Sequence, residues 1–359
     1  MNARPHRPLR AGLISGFVLR AARTSIPATQ QGLADLLAVD LATVQGWQSG
    51  RRPLANMKAG VLLGMRRRLA VLGASPTVLT LLDPAMDADR IIAAVLASDD
   101  DAEHPLGEWM DTRQTAHMLA WALTGTPPPS AADLLAAPHR GPAGAAPLLE
   151  PDDRRVFFER LRNTAESASR TDAGGILLHR QALYLSSYDR SPHAVAWTAH
   201  ARRGALAGWT PRWAEARSTA AALARLGDPV PLWDFFERAM ADDDDGEAAN
   251  LNYWAYWLGV AHQPQADDAF MRDRALTGLD PVALLRALAD GMHFAPGYVD
   301  LYTHSMWALL HAHPWLPQAL PALSASLAGR LDGLLDEGGI SARSRRQLGA
   351  VHYVLHQNR

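Results

Sequence analysis

The chain has 359 residues, 35 basic and 37 acidic side chains, no cysteine, and a hydrophobic fraction of 48%. This composition excludes a disulfide scaffold, a thiolate zinc site and a cysteine nucleophile, and it is too apolar for global disorder. The formal net charge of -2 is the sum of two unequal parts, because residues 1–70 hold 11 basic and only two acidic side chains, whereas residues 71–359 carry a net charge of -11. A basic first segment predicts contact with a polyanion at one end of the chain.

The organisation of the chain is predicted to be all-α, because alanine, leucine and arginine recur at helical spacing with few β-branched clusters. No apolar segment suits a signal peptide or a membrane span, so we expect a cytoplasmic protein without membrane contact. The predicted parts are a basic flexible tail at 1–12, a five-helix N-terminal domain at 13–72, a helical connector at 73–123, a linker or insertion rich in proline, glycine and alanine at 124–152, and a C-terminal domain of stacked helix pairs, TPR-like or irregular, at 153–359.

Two short helices joined by a three-residue turn are predicted at 29–37 and 41–49. In the second helix, Val44 and Trp47 are spaced to face inward, and Asp40 is placed to cap the helix N-terminus. The outward face of the second helix is then predicted to carry Leu41, Ala42, Thr43, Gln45 and Gly46.

A helix pair of this form places its second helix in the major groove of double-stranded DNA, while the first helix crosses the backbone. Amides and hydroxyls can bond to base edges, small apolar groups can contact the thymine methyl, and arginines can neutralise phosphates. We predict base contacts from Gln30, Leu41, Ala42, Thr43 and Gln45. We predict phosphate contacts from Arg20, Arg23, Gln31, Arg51 and Arg52, with support from the arginine run at 66–68.

The segment 17–53 carries one pattern in register: Leu19-Arg20, Arg23, Thr29-Gln30, Leu33-Ala34, Ala38-Val39, Thr43-Val44, Trp47 and Gly50-Arg51-Arg52-Pro53. This pattern resembles the helix-turn-helix of the Xre, lambda-repressor and Cro family of transcriptional regulators, over about residues 13 to 72. The chain departs from the family in three places. Ala38 stands where the family commonly has glycine, Gln48 stands where it commonly has glutamate, and Gly46 lies inside the second helix.

The whole chain is also similar to the long Xre-type regulators of filamentous actinobacteria, in which such a domain precedes a helical body. The resemblance implies a nucleoid-associated transcriptional regulator, such as a repressor, that binds adjacent DNA half-sites as a homodimer. It implies that residues 153–359 serve dimerisation, ligand sensing or the binding of a small partner protein. The alternative is a protein-interaction scaffold that the N-terminal domain only tethers to DNA, and a role in phage defence or toxin control is also open.

Other kinds of site have little support in the sequence. No phosphate-binding glycine loop and no nucleophile elbow occurs, so we expect neither enzymatic activity nor a cofactor. His304, His311 and His313 lack the spacing of a zinc site, so we expect no metal and place them in the core or on the surface. The aromatic residues of 253–257 are predicted to pack in the core, with a partner or ligand groove as the alternative.

Overall fold

The computed structural model describes residues 11–97, 104–131, 146–201, 206–240, 243–261, 263–272, 279–292, 295, 297–336 and 342–356. Across these ranges the chain is helical and contains no strand, which confirms the predicted all-α fold class. No helix in the same ranges is both long and apolar enough to cross a membrane.

The α-helices are numbered in chain order. The first eight are α1 Leu13–Thr24, α2 Gln30–Leu37, α3 Leu41–Gln48, α4 Ala59–Val71, α5 Pro76–Thr80, α6 Leu82–Leu96, α7 Pro105–Glu108 and α8 Arg113–Thr124. The others are α9 Pro151–Ser167, α10 Ala173–Ser186, α11 Pro192–His200, α12 Trp209–Arg225, α13 Val230–Ala239, α14 Asp244–Trp257, α15 Pro281–Gly291, α16 Tyr298–Ala312, α17 Leu316–Ala319, α18 Pro321–Asp336 and α19 Ala342–His356.

The chain divides into two compact units. Unit 1 comprises Met1–Pro105 and Asp111–Asn163, and unit 2 comprises Leu106–Met110 and Thr164–Arg359. The predicted boundary near residue 72 does not coincide with this division, because α1 packs against α6 as well as against α3. Most of the predicted tail and the middle of the predicted linker, residues 1–10 and 132–145, lie outside the described residues.

Helix α1 connects the two short helices of the predicted motif to the rest of unit 1. A Cβ atom on Gly16 would lie 2.4 Å from the carbonyl oxygen of Trp47, so glycine is what permits the close approach of α1 and α3. On another face of α1, the ring of Phe17 meets the ring of Trp121 edge-on at 5.0 Å. Helix α1 therefore packs against α3 on one face and contacts α8 on another.

The N-terminus of α1 is capped from a distant part of the sequence. Gly12 precedes the helix and provides no side-chain cap. The carboxylate of Asp89, on α6, instead accepts hydrogen bonds from the main-chain N–H groups of Ile14 and Ser15, each at 2.9 Å. Burial raises the pKa of Asp89 to about 7, against the lowering effect of these hydrogen bonds.

The two short helices lie where the sequence predicts them, at 30–37 and 41–48, with a three-residue turn between them. Each has a local cap: Thr29 Oγ1 accepts from the N–H of Gly32 at 3.0 Å, and the Asp40 carboxylate accepts from the N–H of Thr43. Ala38 ends α2 in the left-handed region, with φ 53° and ψ 45°. It is the one non-glycine residue with positive φ in the part of the chain that the structure describes.

Unit 2 is organised around α16. This helix packs against α13, α14, α15 and α19, and most of its side chains are buried. Because one helix contacts four others, two of which are distant in sequence, the arrangement favours the irregular alternative over a regular stack of helix pairs.

The aromatic residues of 253–257 belong to the core of unit 2. Tyr253, Trp254 and Tyr256 are buried, and Trp257 is partly buried against the same cluster, which confirms the packing prediction. The guanidinium carbon of Arg217 lies 3.7 Å from the centre of the Tyr253 ring, so one face of that ring is occupied by an internal contact.

The central helix of unit 2 carries the first of the three histidines. His304 is fully buried, and its Nδ1 atom lies 2.9 Å from Gln347 Nε2, so it occupies a core position. Helix α16 ends at Ala312, two residues before Pro314. His311 and His313 lie at that end, and neither is buried. His304 is thus a core residue, and His311 and His313 are not buried; the sequence predicts core or surface positions for the three.

Candidate nucleic-acid interface

The orientation of α3 follows from the side chains that it buries. Val44 is fully buried and Trp47 is 7% exposed, as their spacing predicts. On the opposite face Ala42 and Gln45 are exposed. The same face carries two half-buried residues that were also predicted to contact bases, Leu41 and Thr43.

Gly46 does not lie on the outward face, and this part of the prediction is wrong. A Cβ atom on Gly46 would lie 2.9 Å from Arg52 Cδ and 3.1 Å from Arg52 Cγ, because the arginine stem covers the glycine. The main-chain N–H of Arg52 also donates to the carbonyl oxygen of Gly46 at 3.0 Å. The chain turns back after α3 through Gly50, which has φ 74°, and this reversal brings Arg52 onto the helix.

The guanidinium of Arg52 is held on α3 by polar contacts. Arg52 Nη1 donates to Thr43 Oγ1 at 2.6 Å. Hydrogen bonds from the hydroxyl and the N–H of Thr43 lower the pKa of Asp40, and the positive charge of Arg52 lowers it further. Asp40, Thr43 and Arg52 therefore form a polar chain that begins at the N-cap of α3.

Two of the predicted DNA contacts, Arg23 and Gln30, meet inside unit 1. Gln30 Nε2 donates to Gln48 Oε1 at 2.9 Å, and Arg23 Nε donates to the same oxygen at 3.3 Å. Arg23 Nη1 also donates to the carbonyl oxygen of Ala28 at 2.8 Å. Gln48 is 5% exposed, so these bonds hold the end of α3 against α1 and the start of α2. The structure thus gives both side chains a packing role.

The remaining polar groups of the predicted interface have different surroundings. Gln31 is exposed, and its Nε2 atom donates to Asp35 Oδ1 at 2.8 Å. Arg20 is half-buried, with its guanidinium carbon 4.9 Å from the centre of the Phe17 ring, and burial lowers its pKa. Arg51 is exposed. Of the predicted phosphate contacts, Arg51 and Arg52 are thus the exposed cations.

The arginine run at 66–68 is used partly for packing. Arg66 Nη1 forms an ion pair with Asp83 Oδ1 at 2.8 Å, and Arg68 donates to the carbonyl oxygen of Leu36. Arg67 is exposed. Arg68 is exposed as well, so the run adds two side chains, Arg67 and Arg68, to the exposed basic residues of unit 1. Of these two, Arg67 forms no ion pair or hydrogen bond with a residue that the structure describes.

Three features of this surface were not predicted. The cap by Asp89 depends on a fold-level contact and has no local signal. The contact between Gly46 and Arg52 had a signal, because a glycine inside a helix often marks a close approach by another group. The role of Gln48 also had a signal, since this position departs from the family pattern.

Comparison with models of protein families, with curated proteins and with solved structures finds no match to the chain. Within the described ranges, no group of three or more histidine, aspartate or glutamate side chains is arranged to hold a metal ion. The functional inference therefore depends on the surface of α3 and its surroundings.

Proposed function

We propose that the chain is a DNA-binding transcriptional regulator of the Xre type, with α3 in the major groove. The observation that carries this proposal is that α3 is held at both ends and exposes one face. Its two ends are fixed by the Asp40 cap and the Gln48 contacts, its inward face is buried, and its outward face carries Ala42, Gln45 and the anchored Arg52. An ordered helix with a narrow polar face is the form that major-groove recognition uses.

The charge distribution supports contact with DNA through this part of unit 1. Arg51, Lys58 and Arg67 are exposed and form no ion pair or hydrogen bond with any residue that the structure describes. Each phosphate that such a side chain neutralises contributes about 0.9 to the dependence of log affinity on log salt. Three such contacts give a slope of about -3 for each bound chain, and the acidic remainder of the chain disfavours further DNA contacts.

Regulation would follow from reversible occupancy of a promoter. In this proposal two copies bind half-sites about 34 Å apart, and unit 2 provides dimerisation, ligand sensing or the binding of a partner protein. The protein acts as a repressor where its site overlaps that of RNA polymerase.

One observation favours the alternative of a scaffold tethered to DNA. The outward face of α3 has few hydrogen-bonding groups, since Leu41 and Ala42 are apolar and Thr43 is engaged by Arg52 and Asp40. Modest sequence preference would suit a tether. Genome-wide occupancy distinguishes the two functions, because a regulator gives discrete promoter peaks and changed transcripts on deletion, whereas a tether gives diffuse occupancy.

The proposed function is tested with the purified full-length chain and a pool of random DNA duplexes. We expect repeated rounds of selection at low salt to enrich one sequence motif, and the affinity for that motif to fall steeply as salt increases. Absence of any retained duplex at low salt would refute DNA binding.

A further inference from the structure

The side chain of Arg52 is fixed on the surface of α3, whereas the neighbouring Arg51 is exposed and forms no hydrogen bond or ion pair with the part of the chain that the structure describes. We infer that Arg52 is a specificity-determining residue that recognises a guanine base, while Arg51 contacts the phosphate backbone. This inference rests on the proposed function, because it assigns a role within the proposed DNA interface.

The aliphatic stem of Arg52 lies on α3. Its Cδ and Cγ atoms pack on Gly46, at distances that leave no room for a Cβ atom. Gly46 lies between Gln45, which is exposed, and Trp47, which is buried. The arginine stem therefore crosses α3 at the border of its outward face, and a side chain at position 46 would displace it.

The guanidinium of Arg52 is oriented by Thr43. Arg52 Nη1 donates to Thr43 Oγ1 at 2.6 Å, and the main-chain N–H of Thr43 donates to the Asp40 carboxylate at the N-cap of α3. Because position 43 is one helical turn before position 46, the guanidinium points along α3 toward its N-terminal end, where residues of a recognition helix contact base edges.

Two nitrogen atoms of the Arg52 guanidinium keep N–H groups that can bind a ligand. The Nε and Nη2 atoms of Arg52 form no hydrogen bond with the described part of the chain, and the residue is exposed. These two N–H groups share one edge of the planar guanidinium, and such an edge matches the O6 and N7 acceptors of guanine in the major groove. The exposed side chains of α3 itself, Ala42 and Gln45, provide no such pair of donors for guanine, since Gln45 pairs best with adenine.

The contrast with Arg51 follows from conformational freedom. An anchored arginine has already lost much of its rotamer entropy, so it gains more from a contact that requires one geometry. A free arginine suits a phosphate, which accepts from many directions. We therefore assign the anchored Arg52 to a base and the unanchored Arg51 to a phosphate.

The experiment is selection from random duplexes with the full-length wild-type chain and with three variants, Arg52→Lys, Thr43→Val and Arg51→Lys. Lysine keeps the charge but cannot donate from a planar edge. We expect a guanine in each half-site of the wild-type motif. Arg52→Lys should lower the preference for that guanine by about 5- to 100-fold and leave the other positions of the motif unchanged. Thr43→Val should lower the same preference by a smaller factor.

The matched control is Arg51→Lys, which should retain the whole motif, including the guanine. Circular dichroism and a melting curve of each variant check that the fold is intact. If Arg52→Lys retains the guanine and weakens all sequences equally, Arg52 is a phosphate contact and the inference is wrong, although the proposed function stands. If the wild-type chain retains no DNA, both the function and the inference fail.

Discussion

The carboxylate of Asp89 on α6 accepts a hydrogen bond at 2.9 Å from the main-chain N–H of Ile14, which lies 75 residues earlier in the chain, and so caps α1. A second bond, from the N–H of Ser15, has the same length. Since α1 also packs against α3, this cap supports the helix that we propose to enter DNA. The proposed DNA-binding surface thus depends on a residue outside the segment 13–72 that resembles a helix-turn-helix domain.

Removal of this cap should destabilise unit 1. Asp89→Ala leaves the N–H groups of Ile14 and Ser15 buried without an acceptor, which we expect to cost about 2 kcal/mol. Hydrogen exchange of the full-length chain, followed by mass spectrometry, should show faster exchange in α1. Asp35→Ala, at an exposed position, is the control and should leave this exchange unchanged. Equal exchange in the two variants would argue against the cap.

The stability of unit 1 should fall as the pH rises from about 4 to 8. Burial raises the pKa of Asp89 to about 7, of Asp87 to about 6 and of Asp111 to about 8. A raised pKa means that the folded state binds the proton more tightly than the unfolded state, so this contribution is complete below the unfolded pKa and is lost as the pH passes the folded value.

Thermal melts at several pH values check this prediction. We expect a lower Tm at pH 8 than at pH 5 and a smaller difference in Asp89→Asn, which does not titrate. A stability that increases over the same range, or an unchanged slope in the variant, would contradict the assignment.

The turn between α2 and α3 contains a strained alanine. Ala38 has φ 53°, a region that costs a residue with a Cβ atom about 1–2 kcal/mol. Glycine avoids this strain but loses more backbone entropy on folding, about 0.5–1 kcal/mol. We therefore expect Ala38→Gly to stabilise unit 1 by about 0.5–1 kcal/mol in denaturant melts. Ala70→Gly, in the helical conformation of α4, should have the opposite sign.

Glutamate at position 48 should stabilise unit 1. Gln48 Nε2 is buried and has no hydrogen-bond partner among the described residues, whereas Oε1 accepts from Arg23 and Gln30. A carboxylate removes the unpaired donor and accepts a charge-assisted bond from Arg23. We expect Gln48→Glu to stabilise by about 1 kcal/mol at neutral pH, a rise in Tm of about 2–4 °C.

The opposite change provides the control for this site. Gln48→Leu removes the acceptor and leaves the donors of Arg23 and Gln30 without it, so it should destabilise the protein. If Gln48→Glu melts below the wild type, the polar contacts at Gln48 do not govern its stability.

The sequence predicts those features that depend on neighbouring residues. The helices at 30–37 and 41–48, the cap by Asp40 and the burial of Val44 and Trp47 follow from spacing and local preference. The cap by Asp89 could not be predicted, because it joins residues 75 positions apart. Burial of Gly46 depends on the chain reversal at Gly50, which brings Arg52 onto the helix. The spacing of residues within α3 alone does not show this reversal, so the sequence could not predict the burial.

In the candidate site, too, the sequence could not predict which partner each side chain contacts. Arg23, Gln30 and Arg52 were predicted from residue type, and residue type does not show which partner a polar group finds. Arg23 and Gln30 bind Gln48, and Arg52 binds Thr43. Family resemblance placed all three in one segment, but their hydrogen bonds required the fold.

The central claim is that the outward face of α3 contacts DNA. Its most direct test is fluorescence anisotropy with a selected duplex and the full-length double variant Ala42→Glu with Gln45→Glu. Both side chains are exposed, so the fold should persist while two carboxylates face the phosphates. The control is Gln114→Glu with Ala199→Glu, an equal change of charge at exposed positions of α8 and α11. The account predicts at least a tenfold loss of affinity in the α3 variant and little change in the control. Equal affinities in the two variants would contradict it.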